Sequence, residues 1–203
     1  AAVAFEKETG IKVGMTLKGS GESFAQIAAE KANPKLDVWF GGTGDPHLQA
    51  AEQGLTEEYT SPMNAQLQDW AIKQWNQSKK RTVGVYAGAL GYGVNTQLIA
   101  KKGIPEPKCW ADLLNAKLKD DVQVADPNAS GTSYTLLATI VQLMGEDKGF
   151  EYLKALHKNI NQYTKSGAAP SQAASRGETL IGITFQHDLV TPAVTSAVPM
   201  VVV

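Results

Sequence analysis

Val122-Gln-Val-Ala-Asp-Pro-Asn-Ala-Ser-Gly-Thr132 is a short apolar run, a polar turn and the entry to a second apolar run over residues 133–144. Val122 to Asp126 reads as a strand. The run behind the turn has helical length and spacing. The turn itself sets a hydroxyl and free backbone N–H groups at a helix N-terminus. Strand, small polar turn, helix is the unit of an α/β fold, and reading outward from this unit finds it repeated.

Downstream, Thr164-Lys-Ser-Gly167 follows a short strand and precedes a helix over 168–176; a helix over 148–157 lies before it, and a strand over 179–185 ends at Gln186-His187-Asp188. Upstream, 11–17 and 36–40 read as strands, and Lys18-Gly-Ser-Gly-Glu22 and Gly41-Gly-Thr-Gly-Asp45 are the turns that follow them. Helices are expected over 20–32, stopped by Asn33-Pro34, and over 45–54, with Asp45 at the cap and Pro46 in the first turn. A further helix is expected over 62–75 and a short one at Trp110-Ala-Asp-Leu-Leu114. The βαβα order predicts a mostly parallel sheet. Residues 81–95 interrupt it: Gly88, Gly91 and Gly93 inside a strand-like run predict bulges or close backbone approach, as in a bent strand crossing between lobes or a bulged edge strand. The expected division is a first lobe over 1–90, a second lobe over 91–203 and a hinge strand near 86–95.

Composition excludes several classes. The 203 residues are 43% hydrophobic and 19% charged, with a formal net charge of −1, so no global field favours nucleic acid or an anionic membrane. No apolar stretch has transmembrane length. The single cysteine, Cys109, allows no internal disulfide and reads as a small packing residue beside Trp110. Both ends look cut: the chain opens in a helix-like phrase that Gly10 stops and closes on the strand Met200-Val-Val-Val203.

The four turns suit an anion or a polyhydroxylated ligand, and in an open α/β sheet they would line one crevice at the strand carboxyl ends. Phosphate-loop, dinucleotide-binding, nucleophile-elbow and kinase signatures are missing from the sequence. His47, His157 and His187 stand far apart; His157 reads as solvated and His47 as surface or capping, whereas His187-Asp188 closes a strand where ligands sit. The reading is a binder rather than an enzyme, with no catalytic residue, metal ligand or cofactor.

Phe5-Glu-Lys-Glu-Thr-Gly-Ile-Lys-Val13, Asp37-Val-Trp-Phe-Gly-Gly42, Gly91-Tyr-Gly-Val-Asn95, Trp110-Ala-Asp-Leu-Leu114, Val124-Ala-Asp-Pro-Asn-Ala-Ser-Gly-Thr132 and Arg176-Gly-Glu178 resemble, in this order, the periplasmic solute-binding proteins of ABC importers. The resemblance points to their ferric-iron-binding-protein-like group and within it to the hexose-phosphate-binding members. It implies a two-lobe type II periplasmic binding fold, a first lobe incomplete here, a periplasmic location, a membrane permease as partner and a monomer.

It further implies ligand contacts from Ser20, Gly21, Glu22, Gly42 and Thr43 on the first lobe. Opposite them would stand Ser130, Gly131, Thr132, Thr164, Ser166, Gly167, His187 and Asp188. Trp39 and Phe40 would supply an aromatic wall or belong to the core. The ligand so implied is a sugar phosphate or similar anion. Ferric iron is the alternative, and the adjacent tyrosines that iron binders of the group use are absent: the stretch reads Thr184-Phe-Gln-His-Asp188. A piece of an engineered ligand sensor is the other alternative.

Overall fold

The computed structural model describes residues 2–195 and 200–203. Its sheet has the order β3-β2-β4-β1-β5, from β1 (Leu90–Asn95), β2 (Val122–Ala125), β3 (Ile160–Thr164), β4 (Ile181–Phe185) and β5 (Met200–Val202). β2 runs parallel to β3 and β4. β1 runs antiparallel to β4, with Tyr92 opposite Ile183, and antiparallel to β5. The sheet is therefore mixed rather than mostly parallel, and the closing strand is paired with β1.

The helices are α1 (Ala2–Thr9), α2 (Ser20–Ala29), α3 (Gly44–Glu52), α4 (Asp69–Gln77), α5 (Thr96–Lys102), α6 (Gly131–Met144), α7 (Glu146–His157), α8 (Ala169–Arg176) and α9 (Gln186–Thr195), with 3-10 turns at Asn64–Gln66, Trp110–Leu114 and Ala116–Leu118. The core gathers around the sheet: Tyr92, Val94, Val122, Val124, Ile181 and Ile183 from its strands meet Leu113, Leu118, Leu136, Ile140 and Leu156. β2 is buried along its whole length, and its one polar residue, Gln123, donates through Nε2 to Asn161 Oδ1 and Gln162 Oε1 at 3.3 Å each. Two buried asparagines tie loops to this core. Asn159 Nδ2 donates to the carbonyls of Leu113 (2.7 Å) and Asn115 (3.1 Å). Asn95 accepts from the Leu98 N–H, capping α5, and donates to Ala174 O.

Several elements differ from expectation, for one reason. Residues 11–17 and 36–40 form no strand, and Leu17 (84% exposed) and Val38 (78%) face solvent. A strand exists only when a neighbour takes its backbone groups, and among the described residues every strand of the sheet lies at 90 or beyond. Only 90–95 of the glycine-punctuated run 81–95 pairs. Its glycines do mark close approach: a Cβ on Gly88 would lie 3.0 Å from the His187 ring. The helix expected over 62–75 divides into the 3-10 turn and α4, because Leu67 and Gln68 are extended. Thr43, not Asp45, holds the N-cap position of α3, without a side-chain capping bond. Cys109 is exposed rather than packed; its N–H donates to the Asp112 carboxylate. The fold keeps the expected α/β class and concentrates its sheet in the second half of the chain.

Candidate functional site

Five helices of the described structure begin at one cavity of about 550 Å³. α2 reaches it through Gly19 and Ser20, α3 through Gly42 and Thr43, α6 through Ser130, Gly131 and Thr132, α8 through Ser166, Gly167 and Ala168, and α9 through His187 and Asp188. Each N-terminus presents backbone N–H groups without intrahelical partners and the positive end of its dipole. Neither Thr43 nor Ser130 turns its side chain back to cap its own helix. The volume is that of an ordinary small-molecule site.

The small residues are demanded by geometry. A Cβ on Gly131 would lie 2.0 Å from Thr43 Oγ1 and 2.9 Å from Ser20 Oγ; one on Gly167 would lie 2.2 Å from Thr132 Oγ1 and 3.0 Å from Ser130 Oγ. Four hydroxyls are thus gathered against two glycines. Thr43 Oγ1 is buried with no protein partner. Ser20 Oγ accepts from the Thr43 N–H at 3.3 Å, joining α2 to α3.

A further part of the cavity wall is formed where β4 passes straight into α9. Thr184 Oγ1 donates to Gly167 O at 2.7 Å and lies 3.4 Å from Asp188 Oδ2. His187 Nε2 is 3.8 Å from Asp188 Oδ1, and its ring stacks on Phe185 at 5.6 Å between centroids. An imidazole and a carboxylate side by side can both donate and accept, as hydroxyl-bearing guests require.

Of the residues singled out in the sequence, Gly21 and Thr164 lie off the cavity. Gly21 docks against the opposite half: its N–H donates to Ala129 O at 3.2 Å, and Asn128 O would lie 2.1 Å from a Cβ on it. Thr164 Oγ1 donates to Ser166 O and shapes its turn. The others line the cavity together, from Ser20 to Asp188. Sequence reading missed Lys18, Lys165, Tyr86 and Phe185, which also line it. The two lysines stood inside the quoted turns, where a cation beside a helix N-terminus was a legible signal. Trp39 and Phe40 are neither core nor cavity wall; Phe40 is 67% exposed and Trp39 stacks on His47 at 3.8 Å.

His47 is half-buried between Trp39 and the turn before α3, with Nε2 2.7 Å from Gly41 O. Burial holds its pKa below the usual 6.5, against the opposing pull of that carbonyl. The unfolded chain therefore binds the proton more readily than the folded one. The stability this gives is present above 6.5 and is lost as pH falls through the lowered folded value. We expect the His47 ring resonances to titrate below 6.5 and His47→Gln to flatten the acid limb of the stability profile; a His47 midpoint above 6.5 would contradict the burial argument.

Among the described residues, no group of His, Cys, Asp and Glu is arranged to hold a metal ion, and no helix is long and apolar enough to cross a membrane.

Comparison with known proteins places this geometry in context. Residues 33–194 match the family described as bacterial extracellular solute-binding protein. The periplasmic binding protein AfuA from Actinobacillus pleuropneumoniae, solved with exogenous fructose-6-phosphate bound, superposes with a TM-score of 0.91 at 46% identity, over 99% of this chain and 63% of that one. A putative 2-aminoethylphosphonate-binding periplasmic protein of Salmonella typhimurium is 30% identical over 86% of this chain and 48% of its own length. Iron-bound HitA from Pseudomonas aeruginosa has a TM-score of 0.77 at 20% identity, over 99% of this chain and 63% of that one, a likeness of fold alone. The chain spans about half the length of the curated relatives it matches.

Proposed function

The chain belongs to the bacterial extracellular solute-binding proteins of ABC importers, with the type II periplasmic binding fold, and on that premise we propose that its cavity captures a small organic phosphate, a sugar phosphate above all. The observation that carries the reading is the convergence of five helix N-termini and four gathered hydroxyls on one cavity. Such an array offers backbone donors and a positive field to an anion. Lys18 and Lys165 add charge of the right sign at its wall. The bound fructose-6-phosphate of AfuA and the aminoethylphosphonate of the Salmonella relative share a phosphoryl head on a small polar tail.

In this reading Ser20, Thr43, Ser130, Gly131, Thr132, Ser166 and Gly167 take the phosphoryl oxygens, and His187, Asp188 and Glu22 take the hydroxyls of the tail. Contacts to residues on both sides of 86–95 would favour the closed arrangement of two lobes over the open one. The protein then works in the periplasm as a monomer and hands an unaltered solute to a membrane permease. Ferric iron finds no adjacent tyrosines to supply hard phenolate ligands.

Calorimetric titration tests the reading. Fructose 6-phosphate is expected to bind and fructose to bind more than about 10³-fold more weakly, because removing the phosphate strands donors built for it. Equal affinity for the two would overturn the assignment of the helix ends to an anion.

A further inference from the structure

We propose that Tyr86 is a positioning residue for the cavity, a phenol that fixes the peptide preceding α3 and so sets where Thr43 and the first N–H groups of that helix point. The proposal rests on the reading of the cavity as a phosphate site.

The turn it acts on has little else to hold it. Gly41 and Gly42 both lie in the left-handed region, with φ of 86° and 88°, and belong to no ladder. Two side chains grip them from different directions. His47 meets Gly41 O, as described. Tyr86 Oη accepts from the Gly42 N–H at 2.8 Å and donates to Gly42 O at 3.2 Å, bracketing both polar groups of one residue. The next residue is Thr43, whose N–H is tied to Ser20 and whose hydroxyl is buried without a protein partner. Releasing Gly42 frees the hinge on which that hydroxyl turns, because glycines with positive φ move between backbone wells at little cost.

Tyr86 also stands on the connector that leads into β1. Two residues on, Gly88 lies against the His187 ring. One short segment therefore reaches the cavity wall at two places, through Tyr86 at the turn before α3 and through Gly88 against the His187 ring. The phenol registers the connector against the anion-facing turn. The ring is half exposed, so Tyr86→Phe removes the hydroxyl and leaves packing nearly intact.

The test compares Tyr86→Phe with the unaltered protein. Two lost hydrogen bonds predict a dissociation constant for fructose 6-phosphate raised about tenfold. The thermal midpoint without ligand should fall by no more than a few degrees, and the Gly42 amide should exchange with solvent markedly faster. The exchange rate is the readout that a general structural role would not move selectively. Unchanged affinity overturns the proposal, and so does a fall in thermal midpoint with Gly42 exchange unchanged. If the unaltered protein takes up no fructose 6-phosphate, the reading of the cavity has failed; Gly42 exchange then decides alone whether Tyr86 holds the turn, and an unchanged rate overturns that too.

Discussion

Gly131→Ala is expected to weaken capture of fructose 6-phosphate by about 100-fold, the loss that follows when two or more hydrogen bonds to an anion are spoiled. The added methyl would lie 2.0 Å from Thr43 Oγ1 and 2.9 Å from both Thr43 Cγ2 and Ser20 Oγ. Thr43 cannot simply swing away, because a β-branched side chain has few allowed χ1 wells and its N–H is tied to Ser20. Relief requires α3 and α2 to retreat from α6, and that movement separates the hydroxyls and helix ends that face the guest. Gly131, Thr43 and Ser20 are outside the apolar cluster around the sheet, so the thermal midpoint should fall by no more than a few degrees. Calorimetry with fructose 6-phosphate, set beside a thermal melt, checks both halves. Binding within threefold of the unaltered protein would show that the close approach of α3 to α6 is dispensable.

Gly182→Ala should have the largest effect on folding. Gly182 lies on β4, in register with Gly93 on one side and Gln123 on the other, so the strand has no room to shift. Its missing side chain is occupied by backbone: a Cβ would stand 2.3 Å from Pro170 O and 2.6 Å from Pro170 C, at the first turn of α8. Backbone cannot rotate out of the way as a long side chain can. We expect a loss of about 3 kcal/mol, the upper end for an overpacked core. For a chain of this size that corresponds to a thermal midpoint lower by roughly 6–12 °C. Gly14→Ala is the control, since nothing lies within 4 Å of a Cβ there, and it should be close to neutral. A fall of less than about 2 °C for Gly182→Ala would mean that α8 rides more loosely on the sheet than its contact suggests.

What the sequence made legible was local. A helix N-terminus is announced by its own residues, so the turns at Ser20, Thr43, Ser130 and Gly167 could be located without knowing what they face. Close approach was legible at Gly88 for the same reason, since a glycine inside an apolar run asks for an explanation on the spot. Strands were harder. Residues 11–17 and 122–125 carry comparable apolar patterns, yet only the second finds neighbours, and pairing is not written in either segment. α9 was concealed by Pro192, which breaks the helical pattern within its span. Tyr86 had no signal at all: its role depends on a glycine 44 positions away. The lysines at 18 and 165 were overlooked rather than hidden.

The direct passage of β4 into α9 carries a last consequence. Phe185 ends the strand and Gln186 starts the helix, with no loop between them. His187 is thereby mounted in the first turn of α9 with a strand directly behind it, while Gly42 stands on a turn. On the proposed reading, the guest would meet His187 backed by a strand and Gly42 on a glycine turn that has more freedom to adjust. Such an arrangement would work as a caliper, gauging a solute by the span it must fill, and a tail one carbon longer would have to buckle to fit.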